Sequence, residues 1–412
     1  MTTLPDLAVR PLVETWLAQR QEDAGEIEVR RAEVLRPGRP GLVDIVADVD
    51  GRRAHFVAGL RAVGDEAHFL QSGEHAALGL LEDDGGLAVC VDALCDAQLA
   101  PLLLATIRGV EPRPGSVSIL RDDDEETIID CGDRGDLVVF PWLRREPRAD
   151  VDLMVALEAT GFNHVAAPLV RWVWGDVDLG VVQEPLSDRS SGWALALTSL
   201  RDLYASTGAP EEAGGDFGHE AYALGTMTAR MHLALDRAFL RHSEAVADWV
   251  DDGEKAISEG DISLLDAPGV ADLIATLRAS EARLPVIRTH GDFTLGRLSR
   301  TDQGWVVSDC IPGGVLAGST TPGRRSPLCD VAEVLWSLHQ ASVAAATERD
   351  PAGRLGLAAR GQAWEMRNRR ALVSGYLGTP GVLGLTGQDR ELVRNLVAFF
   401  ELIRSARSRP NG

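Results

Sequence analysis

His290-Gly291-Asp292-Phe293-Thr294-Leu295-Gly296-Arg297 is followed, after a tight reversal at Asp302-Gln303-Gly304, by Trp305-Val306-Val307-Ser308-Asp309. Upstream, Pro285 to Thr289 carries Val286 and Ile287 in a short extended pattern, so His290 and Asp292 fall where a strand ends. The return strand brings Asp309 out beside Asp292. Two carboxylates at the same end of adjoining strands are the minimum for phosphoryl transfer from a metal-bound nucleotide. One takes the proton of the acceptor, and the other holds the metal.

Moving outward, the segment 311–326 is the richest in Gly, Pro, Ser and Thr, and reads as a loop able to cover a site. Ser326-Pro327-Leu328-Cys329-Asp330 then starts a helix. Apolar residues recur at helical spacing over 217–240, 262–282, 328–347, 359–377 and 388–408, so the acidic stretch sits within a helical region. The preceding part of the chain is strand-rich. Segments 117–120, 127–130, 136–140, 167–173 and 179–183, with a short helix at 150–159, make a sheet of about five strands.

The first hundred residues form a separate pattern. A helix is expected over 6–22, from the stripe Leu7, Val9, Leu12, Val13, Trp16 and Leu17. Strands follow at 26–35, 41–49 and 53–60, with Asp50-Gly51 as a hairpin turn, and a Leu- and Ala-rich helix over 91–107 closes the unit. The expected domains are 1–107, 108–185 and 186–412.

Composition narrows the function. A net charge of −21 opposes nucleic-acid and anionic-membrane surfaces, which need clustered cations. The 41 basic residues comprise a single lysine, Lys255, and 40 arginines. Five scattered cysteines without a C-x-x-C pair fit a reducing compartment. The opening residues lack the apolar core of a signal peptide, and no run approaches a membrane span, so a cytoplasmic protein is expected.

The sequences HGDFTLGR (290–297), SDCIPGG (308–314) and SPLCDVAEVLWS (326–337) resemble the maltokinase branch of the aminoglycoside-phosphotransferase-like kinases. That branch carries HGDLHLGQ, DFEGEP and SPLRDVAGMLRS in these places. LGTMTARMHLAL (224–235), QEPLSDRSSGW (183–193), WEMRNRRALVSGY (364–376) and FFELIRSARSRP (399–410) are similar to further segments of the family. The resemblance implies an α+β, bilobal protein-kinase-like fold with an N-terminal α+β cap domain. It also implies ATP and Mg2+ as cofactors and a sugar or aminosugar hydroxyl as acceptor. In that reading Asp292 is the general base and Asp309 the metal ligand. His290 and Asp330 support the loop, and Gln183, Glu184 and Pro185 form the interlobe hinge.

Four places depart from the family pattern. Val138 stands at the position of the phosphate-binding lysine, leaving Arg134, Arg144 or Arg145 as substitutes of different geometry. Arg297 replaces a metal-binding Gln. A guanidinium ~4 Å from a divalent ion at an effective dielectric of ~20 costs about 8 kcal/mol, so Arg297 is expected either to turn away or to contact phosphate directly. The acidic and aromatic residues that follow Asp309 in the family are missing, and so are Lys and Tyr positions in the last helix. Two readings stay open: a divergent sugar phosphotransferase, and a catalytically silent pseudokinase that acts as a binding or regulatory protein.

Overall fold

The computed structural model describes residues 3–23, 25–65, 69–70, 76–83, 85–113, 115–146, 148–186, 189–212, 215–308, 323–350 and 356–408. The chain divides into two compact units. The first takes residues 1–151 and 167–187, and the second takes 152–166 and 188–412.

In the first unit, α1 (Asp6–Gln19) is followed by β1 (Ile27–Arg36), β2 (Gly41–Val49), β3 (Arg52–Ala62), β4 (Ala77–Asp83) and β5 (Gly86–Asp92). Then come α2 (Leu99–Arg108), β6 (Ser118–Asp122), β7 (Thr127–Asp130), β8 (Asp136–Val139), β9 (Trp142–Leu143), β10 (Pro168–Trp174) and β11 (Val177–Gln183), while α3 (Ala149–Ala159), between β9 and β10, belongs mostly to the second unit. One antiparallel sheet has the order β1-β2-β3-β5-β4, with β9 added to β3, and the other has the order β10-β11-β8-β7-β6.

The apolar stripe of α1 covers the first sheet, with Trp16 stacked on Phe56 at 5.0 Å. Helix α2 is buried from Leu99 to Ala105, almost all round. It shares one core with Leu42 and Val57 of the first sheet and with Ile129, Leu137 and Val182 of the second, which explains why its sequence is apolar on every face.

The second unit holds β12 (Ser190–Ser191), α4 (Gly192–Ala205), α5 (Gly218–Ala238), β13 (His242–Ala245), α6 (Val246–Asp261), α7 (Val270–Arg278) and β14 (Arg283–Val286). The hairpin β15 (Leu298–Thr301) and β16 (Gly304–Val307) precedes α8 (Leu328–Arg349), α9 (Leu357–Leu377), α10 (Leu383–Thr386) and α11 (Arg390–Ser408). Helices α5 and α9 approach backbone to backbone. A Cβ on Gly225 would lie 2.0 Å from the Leu372 carbonyl oxygen, and one on Gly375 would lie 2.1 Å from that of Tyr222. Glycine is required at both crossings.

Three expectations from the sequence differ from the structure. The hairpin β4–β5 occupies part of a stretch left without strands, and the helix expected from 91 begins at Leu99. The helix expected over 262–282 is a short 3-10 turn, Ile262–Asp266, followed by α7, because Pro268-Gly269 breaks it, with Gly269 at φ +82°. The sequence pattern does not mark α6 as a helix.

Candidate active site

Strand β14 ends at Val286, and Ile287 then pairs with Arg325, with backbone hydrogen bonds of 3.0 and 2.9 Å in the two directions. This anchors the chain just before the loop at His290. Gly291 has φ +107°, a conformation glycine adopts without the Cβ penalty.

The loop is held by one face of α8. Asp330 accepts the backbone N–H of His290 at 2.9 Å and that of Gly291 at 3.2 Å. Glu333 accepts from Phe293 N–H at 2.7 Å, and Ser337 Oγ from Leu295 N–H at 3.0 Å. Positions 330, 333 and 337 are spaced i, i+3 and i+7, so they share one helix face. Four otherwise orphaned amides of a buried loop thereby find acceptors.

A further layer fixes Asp330. His232 of α5 contacts Asp330 through Nε2 at 3.0 Å and Tyr376 of α9 through Nδ1 at 2.8 Å. Arg325 lies 3.6 Å from Asp330 and 3.5 Å from Glu333, and also donates to Thr289 Oγ1 at 3.0 Å. Burial opposes ionisation of Asp330, but the His232 hydrogen bond and the nearby cations outweigh it and hold the carboxyl down at about 2. For Glu333 burial wins over Arg325 and pushes the carboxyl up to about 8. His290 is fully buried, with its Nδ1 3.4 Å from Asp292 N–H and its ring edge-on to Phe293 at 5.1 Å.

Asp292 itself is partly exposed, and both of its oxygens face cations. Arg404 of α11 donates to Oδ1 at 3.0 Å, and Arg297 Nε lies 3.5 Å from Oδ2. The Arg404 guanidinium also lies over the ring of Trp336, 4.7 Å from its centroid. Thus His290, Asp292, Arg297 and Asp330 come together in the second unit. Asp309 lies outside the described residues, as does most of the 311–326 segment.

The remaining predicted positions belong to the first unit. Val138 is buried in the middle of β8, paired with Val181 and Ile128. Gln183 ends β11 and is buried, while Glu184 N–H donates to Ala167 O at 2.8 Å and Pro185 follows, half-buried. Arg134 is engaged by three backbone carbonyls, those of Cys131, Arg113 and Ser116, at 2.6, 2.6 and 2.8 Å. Arg144 pairs with Glu125 at 3.0 Å, and Arg144 and Arg145 line a surface cavity with Arg52, Arg53 and Trp142.

Among the described residues no group of three or more His, Cys, Asp or Glu side chains could hold a metal ion. Among the described residues, two guanidinium groups stand next to Asp292, and these residues do not by themselves fit a magnesium ion. Sequence reading did not find Arg404, Glu333, Ser337, His232 or Tyr376. The polar residues of SPLCDVAEVLWS at one-face spacing were the available signal for Glu333 and Ser337.

No family model matches the chain. A glucosamine kinase of Streptacidiphilus jiangxiensis is 27% identical over 339 residues, which is 75% of this chain and 74% of that one. A glucosamine kinase of Mycolicibacterium smegmatis is 28% identical over 265 residues, covering 60% of this chain and 63% of the relative. Among solved structures, a glucosamine kinase in complex with glucosamine, ADP and inorganic phosphate matches with a TM-score of 0.62 at 20% identity, over 98% of this chain and 94% of that one. A second crystal form of a glucosamine kinase gives 0.62 at 21% identity, with the same coverage. The fold is the bilobal α+β kinase-like fold. Among the described residues no helix is long and apolar enough to cross a membrane.

Proposed function

We propose that this chain is an ATP-dependent phosphotransferase that moves the γ-phosphate to a sugar hydroxyl. The observation that carries the reading is the loop at Asp292: four amides fixed by α8 leave that carboxylate at a defined point, facing outward from a buried support. The related glucosamine kinases support the sugar class of acceptor. They give no support to maltose in particular.

In this mechanism the acceptor hydroxyl hydrogen-bonds to Asp292. Its oxygen attacks the γ-phosphorus while its proton passes to the carboxylate and the bond to the β–γ bridging oxygen breaks, releasing ADP. Arg297, five residues along the same loop, contacts the transferring phosphoryl group and supplies positive charge that Val138 cannot. His290 and Asp330 hold the loop without touching the reacting atoms. Gln183, Glu184 and Pro185 serve as the adenine-side hinge. Mg2+ is implied by the resemblance, with Asp309 as its ligand, and no step above is routed through it. Residues 1–107, 108–185 and 186–412 act as cap, strand-rich lobe and helical lobe.

The silent-kinase reading is favoured by one observation, that both oxygens of Asp292 face guanidinium groups. Thermal melting with ATP, with and without magnesium, separates the two. A ligand bound only to the native state raises the midpoint, by the equivalent of about 2.7 kcal/mol at a hundredfold excess over Kd. The phosphotransferase reading requires that rise, and an unchanged midpoint at saturating nucleotide sinks it.

A further inference from the structure

Helices α9 and α11 both pack on α8 and leave a cleft between them, within the second unit. Its volume is about 470 Å³, and all of its lining residues are described. On α11 the lining positions include Arg390, Val393, Arg394, Val397 and Glu401, at i, i+3, i+4, i+7 and i+11. They make one face along about 16 Å of helix. Val373 and Leu377 of α9 form the facing wall, and Leu335 of α8 is the buried floor. At one end Arg369 of α9 bridges to Glu401 of α11 through two hydrogen bonds, of 2.7 and 2.6 Å.

The charge that lines the cleft is opposite in sign to that of the chain. Four arginines, Arg369, Arg370, Arg390 and Arg394, border it against one carboxylate, Glu401, which Arg369 already holds. Glu365, 3.5 Å from Arg369, does not line the cleft. Beside the other end, Asp389 is taken by the amides of Glu391 and Leu392. Glu391 lies 3.7 Å from Arg394, with the two side chains 76% and 73% exposed, so water screens that pair. Arg370 and Arg390 are exposed and have no carboxylate partner among the described residues. On a chain of net charge −21, an apolar floor rimmed by arginines selects against cations and for an anion.

We propose that this cleft binds a small amphipathic carboxylate. Its apolar body lies over Leu335, Val373 and Val397, and its head group meets Arg390 and Arg394, one turn apart at the end that the Arg369–Glu401 bridge leaves open. A guanidinium fork matches a planar carboxylate in geometry as well as charge. The volume is that of a small-molecule site, and a partner helix, about 10 Å across with its side chains, needs more room. No lining residue is among those that hold the Asp292 loop, so binding here does not depend on phosphoryl transfer.

The test is calorimetric titration of the whole protein with decanoate, decanol and decylammonium. The expected result is saturable one-to-one binding of decanoate, at least about tenfold tighter than that of the alcohol or the amine. The double variant Arg390→Gln/Arg394→Gln, at two exposed positions, should weaken decanoate at least about tenfold and leave decanol unchanged. The corresponding double lysine variant should recover part of the loss, and Val373→Glu should weaken both ligands. Melting midpoints without ligand, equal to that of wild type, show that the variants fold. Four results overturn the proposal. They are decanol binding as tightly as decanoate, the glutamine variant binding decanoate as wild type does, no saturable binding below about 1 mM, or self-association of wild type that Val373→Glu reverses, which would give the cleft to a second copy of the chain.

Discussion

At Glu333 and Asp330 two buried carboxyls a helical turn apart are driven in opposite directions, and each direction has a signature in pH. Glu333 has an ordinary value of 4.5 and is raised to about 8 in the fold. Between those values the folded protein keeps a proton that the unfolded chain has released, so stability falls as pH rises through this window. Glu333→Gln should therefore lessen the loss of stability between pH 5 and 8, measured as denaturation midpoints. An unaltered pH profile would mean that Glu333 is ionised in the fold. Asp330 behaves with the opposite sign: lowered from 3.8 to about 2, its contribution is present above the ordinary value and is lost as pH falls toward 2. Asp330→Ala leaves His232 and two loop amides without their acceptor and removes one of the carboxylates facing Arg325, and should cost about 3–5 kcal/mol in chemical unfolding. A loss within ~0.5 kcal/mol, the usual range for surface changes, would contradict its place at the base of the loop.

The residues at this scale were unequally legible. His290, Gly291 and Asp292 stand in one short motif, so a local reading reaches them. Arg404 is 112 residues from Asp292, and nothing in its helical surroundings marks it off from other arginines on α11. Glu333 and Ser337 were hidden for another reason. Charged and hydroxyl residues in a helix are normally read as its solvent face, whereas here they form the buried face that meets loop amides.

Among the elements, the pairing of α5 with α9 decides how well Asp330 is held, since α5 supplies His232 and α9 supplies Tyr376. The pairing depends on Gly225 and Gly375, where an added Cβ meets backbone rather than a flexible side chain. Gly225→Ala or Gly375→Ala should therefore push the helices apart, with a loss of about 1–3 kcal/mol in unfolding and a lower turnover at unchanged KM for ATP. A variant as stable and active as wild type would show that the contact is looser than the structure has it. Similar constraints explain why some elements escaped the sequence reading. Helix α6 contains Gly253 and Gly260, which weaken helical propensity, yet Gly253 is where Phe399 and Ile403 of α11 press in. Strand β4, ALGLLED, lacks β-branched residues and becomes extended through its pairing with β5. Helices with clean apolar periodicity, such as α1, α5, α8 and α9, lie within three residues of where the pattern placed them.

For the molecule as a whole, the replacement of nearly all lysine by arginine makes a chemical prediction. Lys255 is the only lysine ammonium, 74% exposed on α6 and 3.9 Å from Glu259. An acyl-phosphate derivative of ATP, which acylates lysines at nucleotide phosphates, should label no site that ATP protects. Phenylglyoxal, which modifies arginine, should abolish the nucleotide-dependent melting shift, and ATP should slow that loss. ATP-protectable labelling of Lys255 would contradict the use of arginine for the phosphates. The kinase-like fold was accessible from sequence because its motifs recur along most of the chain. The arrangement around Asp292 was not, because Arg404 reaches it from 112 residues further along the chain. The measurement that tests the account most directly is transfer of label from γ-labelled ATP to a sugar, by wild type and by Asp292→Asn. The account predicts a phosphorylated sugar with wild type and a loss of about 10²–10⁴ in kcat with the variant, which still shows the ATP-dependent melting shift. Equal transfer by both proteins, or none by wild type to any sugar, would contradict it.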